Sequence, residues 1–303
     1  MKKLYTAGIA LLLLLLLSAC SGSKEEDKST TSTEGGTEKT EEVFKIGAIP
    51  DQNAADMNRS LSKLADYLSE KTDLKVEYVP SVDYAALVTA FERGEIQLAW
   101  FGGLTGVQAR NVVPEAEAIA QRPMDEEFQS VFISGVNTNI KSLEDLKGQS
   151  FTFGSESSTS GHLMPRYFLK EAGINPEKDF DGQPNYSGSH DKTYKLVESG
   201  SMKAGVLNIS VWEAAVAEKK VDTSKVNVFY TTPSYYDYHW TINAVDETFG
   251  EGTKQKVTDA ILAINSKDQP EIMELFQSDN FIPTKNENYK AIEQVAKEVG
   301  IIK

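Results

Sequence analysis

From Val43 onward the chain alternates between short apolar runs of strand length and longer stretches whose apolar residues recur at helical spacing. "VFKIGAIP" reads as a strand ended by Pro50, and "NRSLSKLADYLSEKT" places Leu61, Leu64, Ala65 and Leu68 on one helical face. "KVEYVP", "IQLAWFGG", "SVFISG", "SFTFG", "AGVLN", "VNVFYT" and "HWTINAV" read as strands or extended segments. "DYAALVTAFERGE", "DKTYKLVESG" and "SVWEAAVAEKK" read as helices, and the tail from Glu251 is mostly helical. "SLEDLKG" reads as a further helix with Ser142 and Asp145 as a capping box. Strands separated by helices of this length predict βαβ units and a parallel sheet. Two α/β lobes are the economical solution for about 260 residues. Ligands in such sheets bind beyond the carboxyl ends of strands. The loops to inspect are therefore "PDQNAADMNR", "VPSVDY", "FGGLTG", "GSESSTSG" and "NYSGSHDK".

The first 42 residues obey a different logic. "MKKLYTAGIALLLLLLLSAC" has a basic start at Lys2 and Lys3, an apolar run too short for a stable membrane span, and small residues before Cys20, the pattern of a secretory signal. Its "LSAC" ending resembles the bacterial lipobox, which implies cleavage after residue 19 and a lipid on Cys20 as first mature residue. Residues 21–42 contain no aromatic or aliphatic side chain and read as a disordered tether. The expected location is the outer face of the cytoplasmic membrane, held through the lipid. Cys20 is the only cysteine, which excludes a disulfide framework, a thiolate metal cluster and a cysteine nucleophile from the folded part. The formal charge of −14 argues against nucleic acid as a partner. An anionic ligand would also meet a repulsive overall field and would have to rely on local donors.

Such donors are concentrated in "GSESSTSGHLMPRYFLKEAG". Pro165 fits only a first helical turn, so the helix begins near Gly161 and the hydroxyls of Ser157, Ser158, Thr159 and Ser160 sit at its N-terminus. One hydroxyl suffices as a cap. Alternatively the run is an anion site, with free N–H groups, the helix dipole and neutral hydroxyl donors around the ligand. The residues alone support both readings equally.

Motifs for chemistry are missing. No G-x-G-x-x-G follows the first strand, and there is no G-x-x-x-x-G-K-[ST], G-x-S-x-G or H-E-x-x-H. Three histidines in all would have to converge for a multi-histidine metal site, so no metal, cofactor or catalytic residue is expected. His162, His190 and His239 do fall in strand-end or crossover segments, although each alone is more often structural. Tyr84, Tyr235, Tyr236 and Tyr238 offer phenol donors. Trp100, Trp212 and Trp240 could wall a pocket, with core packing favoured for Trp100.

Together, "DYAALVTAFERGEIQLAWFGGLTGVQAR", "SESSTSGHLMPRYFL" and "SGSHDKTYKLVESGSMKAGVLN" in a lipoprotein resemble the phosphate/phosphite/phosphonate substrate-binding proteins of ABC transporters, over nearly all of residues 44–300. The resemblance implies the type II periplasmic-binding-protein fold, with lobe 1 at 44–127 and 236–303 and lobe 2 at 128–235, joined by two crossover segments. It implies a monomeric capture protein, not an enzyme, that closes on a small tetrahedral oxyanion and delivers it to a permease and ATPase complex. It assigns ligand contacts to Tyr84, Ser158, Thr159, Ser160, Gly161, His162, His190, Tyr236 and Asp237. Asp237 would accept a hydrogen bond from a protonated ligand oxygen. Gly106 stands where the family has a ligand-facing tyrosine, and His162 also stands where tyrosine is usual. "WFGGLTGVQAR" and "YYDYHWT" are most similar to a subgroup assigned to selenate transport. The same fold could instead serve an organic ligand of the taurine, nitrate or thiamine-precursor type, with "SYYDYHWT" stacking on it.

Overall fold

The computed structural model describes residues 42–302. Cys20, the expected signal and the expected tether up to residue 41 lie outside the described residues. The described residues belong to one compact unit. Its strands, in chain order, are β1 (Phe44–Ala48), β2 (Val76–Tyr78), β3 (Leu98–Phe101), β4 (Glu117–Gln121), β5 (Ser130–Gly135), β6 (Phe151–Phe153), β7 (Asn185–Tyr186), β8 (Ala204–Asn208), β9 (Val226–Thr231), β10 (His239–Ile242) and β11 (Ile282–Pro283). They form two sheets, ordered β11-β4-β10-β3-β1-β2 and β7-β6-β8-β5-β9.

The alternation in the sequence predicts parallel pairing, and β1 runs parallel to β2 and β3, as β6 does to β7 and β8. Both sheets are nevertheless mixed. Strand β10 is antiparallel to β3 and β4, and β5 is antiparallel to β8 and β9. These are the strands that begin just after the chain crosses between sheets, so they start at the boundary and run away from it. The helix-linked strands β1, β3, β6 and β8 run towards it. Their carboxyl ends, and the loops that follow, converge on the ground between the sheets.

Local chemistry sets the elements that aim at this boundary. Helix Ala54–Thr72 starts where the Asn53 side chain accepts from Ala55 N and Asp56 N, and it buries Met57, Leu61, Leu64, Ala65 and Leu68 in the core around the first sheet. The segment at "SLEDLKG" is only a single 3₁₀ turn, Glu144–Leu146. The Ser142 hydroxyl donates to the Asp145 carboxylate instead of accepting from its amide, so the reciprocal half of the capping box is missing.

Two crossings, at residues 122–129 and 232–238, carry the chain from one sheet to the other and back. They pair with each other: Phe128 N donates to Tyr235 O at 2.8 Å, Tyr235 N to Phe128 O at 2.9 Å, and Asp237 N to Asp125 O at 3.1 Å. The first crossing is anchored by Arg122, whose buried guanidinium binds both Asp125 carboxylate oxygens at 2.8 and 2.6 Å and the Phe276 carbonyl at 3.0 Å. It also lies over the rings of Trp100, Phe128 and Tyr238. Trp100 packs in this aromatic core, stacked on Tyr238 and edge-on to Phe276.

Candidate functional site

Pro165 sits in the first turn of helix Met164–Glu171, and the hydroxyl run precedes it as a π-helical turn, Thr159–Leu163. Single π turns of this kind often mark functional positions. The Ser158 hydroxyl accepts from Gly161 N at 2.9 Å, so one residue of the run is a cap. The amides of Thr159 and Ser160 belong to the first turn, where no intrahelical acceptor exists. Gly161 serves close approach: a Cβ there would lie 2.9 Å from Ser158 Oγ and 3.0 Å from His190 Cε1. The hydroxyl turn and His190 are thereby brought together.

A second helix N-terminus meets this one from the first sheet. Helix Gly103–Val112 has glycine as its N-cap, so no cap can come from its own side chain. Its first amides are served from elsewhere: Gly103 N donates to Asp237 Oδ1 and Leu104 N to Thr159 Oγ1, each at 2.9 Å. Asp237 comes from the second crossing and Thr159 from the loop after β6, so two helix ends and a crossing meet at one place.

At this place three buried polar atoms lack a hydrogen-bond partner: Tyr84 OH, Ser160 Oγ and Asp237 Oδ2. An unsatisfied buried group costs roughly 1–3 kcal/mol, and more when charged. Burial pushes the Asp237 carboxyl up to about 7, against the lowering effect of the Gly103 N–H. Burial, reinforced by the Asp51 and Asp237 carboxylates, raises the Tyr84 phenol well above its ordinary value and keeps it a donor. Among the described residues, no lysine or arginine hydrogen-bonds to Tyr84, Ser160 or Asp237.

His190 flanks the cluster as a neutral donor. Asn208 N donates to its Nδ1 at 3.3 Å, which leaves the proton on Nε2, 3.2 Å from Tyr238 OH. Burial lowers its pKa to about 3. The Tyr238 hydroxyl also accepts from Asn208 Nδ2 at 2.8 Å. Burial pushes Asp51 up to about 6, although a hydrogen bond from Tyr238 and the Arg122 charge act to lower it. The Asp51 carbonyl accepts from His190 N at 3.0 Å, one of several bonds that tie the two sheets together across the site.

Of the residues singled out in the sequence, Tyr84, Ser158, Thr159, Ser160, Gly161, His190 and Asp237 gather here. His162 and Tyr236 are placed elsewhere. His162 Nδ1 meets Glu156 O at 2.7 Å, while its Nε2 accepts from Arg166 Nε at 2.8 Å and lies 3.2 Å from Tyr186 OH. Its ring packs edge-on to Phe153 and Tyr186, behind the hydroxyl turn. Residues two apart on a helical turn do not share a face, so Ser160 and His162 point apart. Tyr236 packs edge-on to Tyr289, because neighbours in an extended segment point to opposite sides and Asp237 takes the inner one. Sequence reasoning missed the Gly103 and Leu104 amides, Asn208, and Asp51. Asp51 lies in the loop "PDQNAADMNR" and Gly103 and Leu104 in "FGGLTG", both marked as strand-end loops, but no motif singled out these residues.

Comparison with known proteins settles the family. A family model described as ABC transporter, phosphonate, periplasmic substrate-binding protein matches residues 46–289. The chain belongs to this family of phosphonate-type substrate-binding proteins. It is 42% identical over 272 residues to the probable ABC transporter phosphite binding protein PhnD1 of Prochlorococcus marinus (strain MIT 9301), with 86% of this chain and 91% of the relative covered. The phosphate-import protein PhnD of Mycolicibacterium smegmatis is 32% identical over 174 residues, 54% of each chain. The solved structure of the Prochlorococcus PhnD1 in complex with methylphosphonate matches with a TM-score of 0.82 at 41% identity, covering 86% of this chain and 99% of that one. The aliphatic sulphonate binding protein SsuA of Escherichia coli, at 16% identity and a TM-score of 0.54 over 86% of this chain and 94% of its own, shares the fold. The fold is therefore the type II periplasmic-binding-protein architecture. Phosphonate-type substrate-binding proteins are the extracytoplasmic components of importers, working with a permease and an ATPase, and they are not enzymes.

Proposed function

We propose that this protein captures a small tetrahedral phosphorus oxyanion that carries a proton, such as phosphite, methylphosphonate or hydrogen phosphate, between residues 44–127 with 236–303 on one side and 128–235 on the other. The observation that carries this reading is the set of unpartnered buried atoms: two hydroxyl donors, Tyr84 OH and Ser160 Oγ, and one acceptor, Asp237 Oδ2. A fully deprotonated anion such as sulfate or selenate wants donors only, and Asp237 would oppose it unless protonated. A protonated oxyanion satisfies all three atoms. The amides of Thr159 and Ser160 complete the donor set, so the ligand's charge is met by hydrogen bonds at a helix N-terminus and not by a cation. The names of the phosphite-binding, phosphate-import and methylphosphonate-bound relatives accord with this ligand class.

Delivery to the permease would follow from a membrane-tethered monomer, with the Cys20 lipid as anchor and residues 21–42 as tether. Isothermal titration of the purified protein with phosphite, methylphosphonate, phosphate, sulfate, selenate and taurine tests the reading. Tight binding confined to the phosphorus oxyanions supports it. Preference for selenate, sulfate or taurine refutes it.

A further inference from the structure

Gly106 lies in the first turns of helix Gly103–Val112, and its backbone is ordinary helix, with Gly106 N donating to Gly102 O at 2.8 Å. Space, not conformation, calls for glycine. A Cβ at 106 would fall 2.2 Å from His239 Nε2, 2.4 Å from His239 Cε1 and 3.0 Å from Arg110 Nη1. The fully buried His239 ring therefore fills the volume that a side chain at 106 would take, and it packs on Tyr289 at a centroid distance of 3.9 Å, with the rings tilted by 30°.

The two ring nitrogens have unequal partners. Arg110 Nη1, which can only donate, lies 2.6 Å from Nε2, so Nε2 is the acceptor and the ring proton sits on Nδ1. Nδ1–H then donates to the Asp237 carbonyl at 3.0 Å. Asp237 is thus held twice by one helix: Gly103 N takes its Oδ1, and Arg110, through His239, takes its carbonyl. With both fixed, Oδ2 is the carboxylate oxygen left without a partner.

We propose that His239 is the positioning residue for the ligand's acceptor, and that Gly106 makes room for it, so that this pair sets the preference for protonated over fully deprotonated oxyanions. The proposal rests on the reading of Asp237 as that acceptor. It predicts that loosening His239 lowers discrimination without removing the donors that bind any oxyanion.

The test is a set of titrations of the full chain in detergent with inorganic phosphate and with sulfate, read as the ratio of the two affinities. His239→Ala and Gly106→Ala should each lower the ratio by about tenfold, the worth of one hydrogen bond to a charged group, with sulfate affinity nearly unchanged. The double variant should fall no further than His239→Ala alone. His239→Asn places an amide N–H where Nδ1–H stands and should keep the wild-type ratio. An unchanged ratio in His239→Ala, or equal loss of both anions, overturns the proposal, as do independent, multiplying losses for the two sites. If His239→Ala does not fold, Gly106→Ala against His239→Asn decides alone: a lowered ratio only in the former supports the proposal, and any other pattern overturns it. Asp237→Asn separates the two levels. A ratio unmoved by that variant refutes the acceptor reading itself, whereas a normal response to it with no response at His239 refutes only the positioning role.

Discussion

Replacing Asp237 by Asn leaves shape and one hydrogen bond intact while reversing the polarity of one atom. The Asn carbonyl oxygen can still accept from Gly103 N, as Oδ1 does at 2.9 Å. The amide nitrogen then takes the place of Oδ2 and presents N–H where the ligand's own O–H would point. A hydrogen bond to a charged group is worth roughly 1.5–3 kcal/mol, so phosphite, phosphate and methylphosphonate should bind about 10- to 150-fold more weakly. Sulfate and selenate gain a donor and lose a repelling carboxylate, so their affinity should rise. Calorimetric titration with these anions, at one pH and salt concentration, reads both changes. Equal weakening of all anions would mean that Asp237 only supports the fold. Unchanged phosphite binding would mean that its carboxylate does not meet the ligand.

Ser160→Ala and Tyr84→Phe each remove a hydroxyl with no protein partner; titration should show about 10- to 150-fold lower oxyanion affinity, with thermal unfolding of the ligand-free protein unchanged or slightly improved. Ser158→Ala instead removes the cap on Gly161 N and should cost about 1 kcal/mol in denaturant unfolding. Asp125→Ala leaves the Arg122 charge buried without its partner and should cost about 3–5 kcal/mol by the same measurement. The Asp237 carboxyl moves from 3.8 to about 7 on folding, so the folded state holds its proton more tightly, and the stability this provides below pH 3.8 is lost as pH rises through 7. Relative to wild type, ligand-free Asp237→Asn should therefore gain up to about 4 kcal/mol between pH 4 and pH 8; a flat difference across that range refutes the assignment.

How much of this could be read from the sequence depended on whether a feature is local. Strands β5 and β9 fall on "SVFISG" and "VNVFYT" with their full lengths, since short apolar runs bounded by turn residues suffice to mark them. The hydroxyl run before Pro165 was equally legible as a helix start. Strand β4, Glu117–Gln121, went unread because "EAIAQ" is short and shows neither a turn nor a helical period beside it. The antiparallel β5 and β10 depend on where the chain crosses between sheets, which no local pattern records. In the site, the hydroxyl run is marked by type and position, whereas Asp237 is implied only by the family resemblance. The Gly103 and Leu104 amides could not be read, because backbone donors carry no residue signature. His162 shows the opposite limit: its type suited an anion site, but its phase on the π turn directs it to Arg166 and Tyr186.

The chain's charge and its site pose one problem with one solution. A protein of net charge −14 has no long-range attraction for an anion, and its site adds Asp237 and Asp51, both buried, where charge is costly. Two features make such a site workable. Helix N-termini and hydroxyls supply donors without a cation whose attraction would be indifferent to protonation state. On the proposed reading, a carboxyl poised near neutral pH would share one proton with the ligand, so that a phosphorus oxyanion that brings its own proton would complete the network by itself. Sulfate and selenate, which do not, require Asp237 to take a proton from water, at a cost that grows as pH rises above 7. Exclusion of sulfate relative to hydrogen phosphate, which keeps a proton throughout, should therefore sharpen with pH from 6 to 8. Titrating sulfate across that range measures it: affinity falling about tenfold per pH unit above 7 is the expected result, and a pH-independent sulfate affinity would show that the buried carboxyl plays no part in selection.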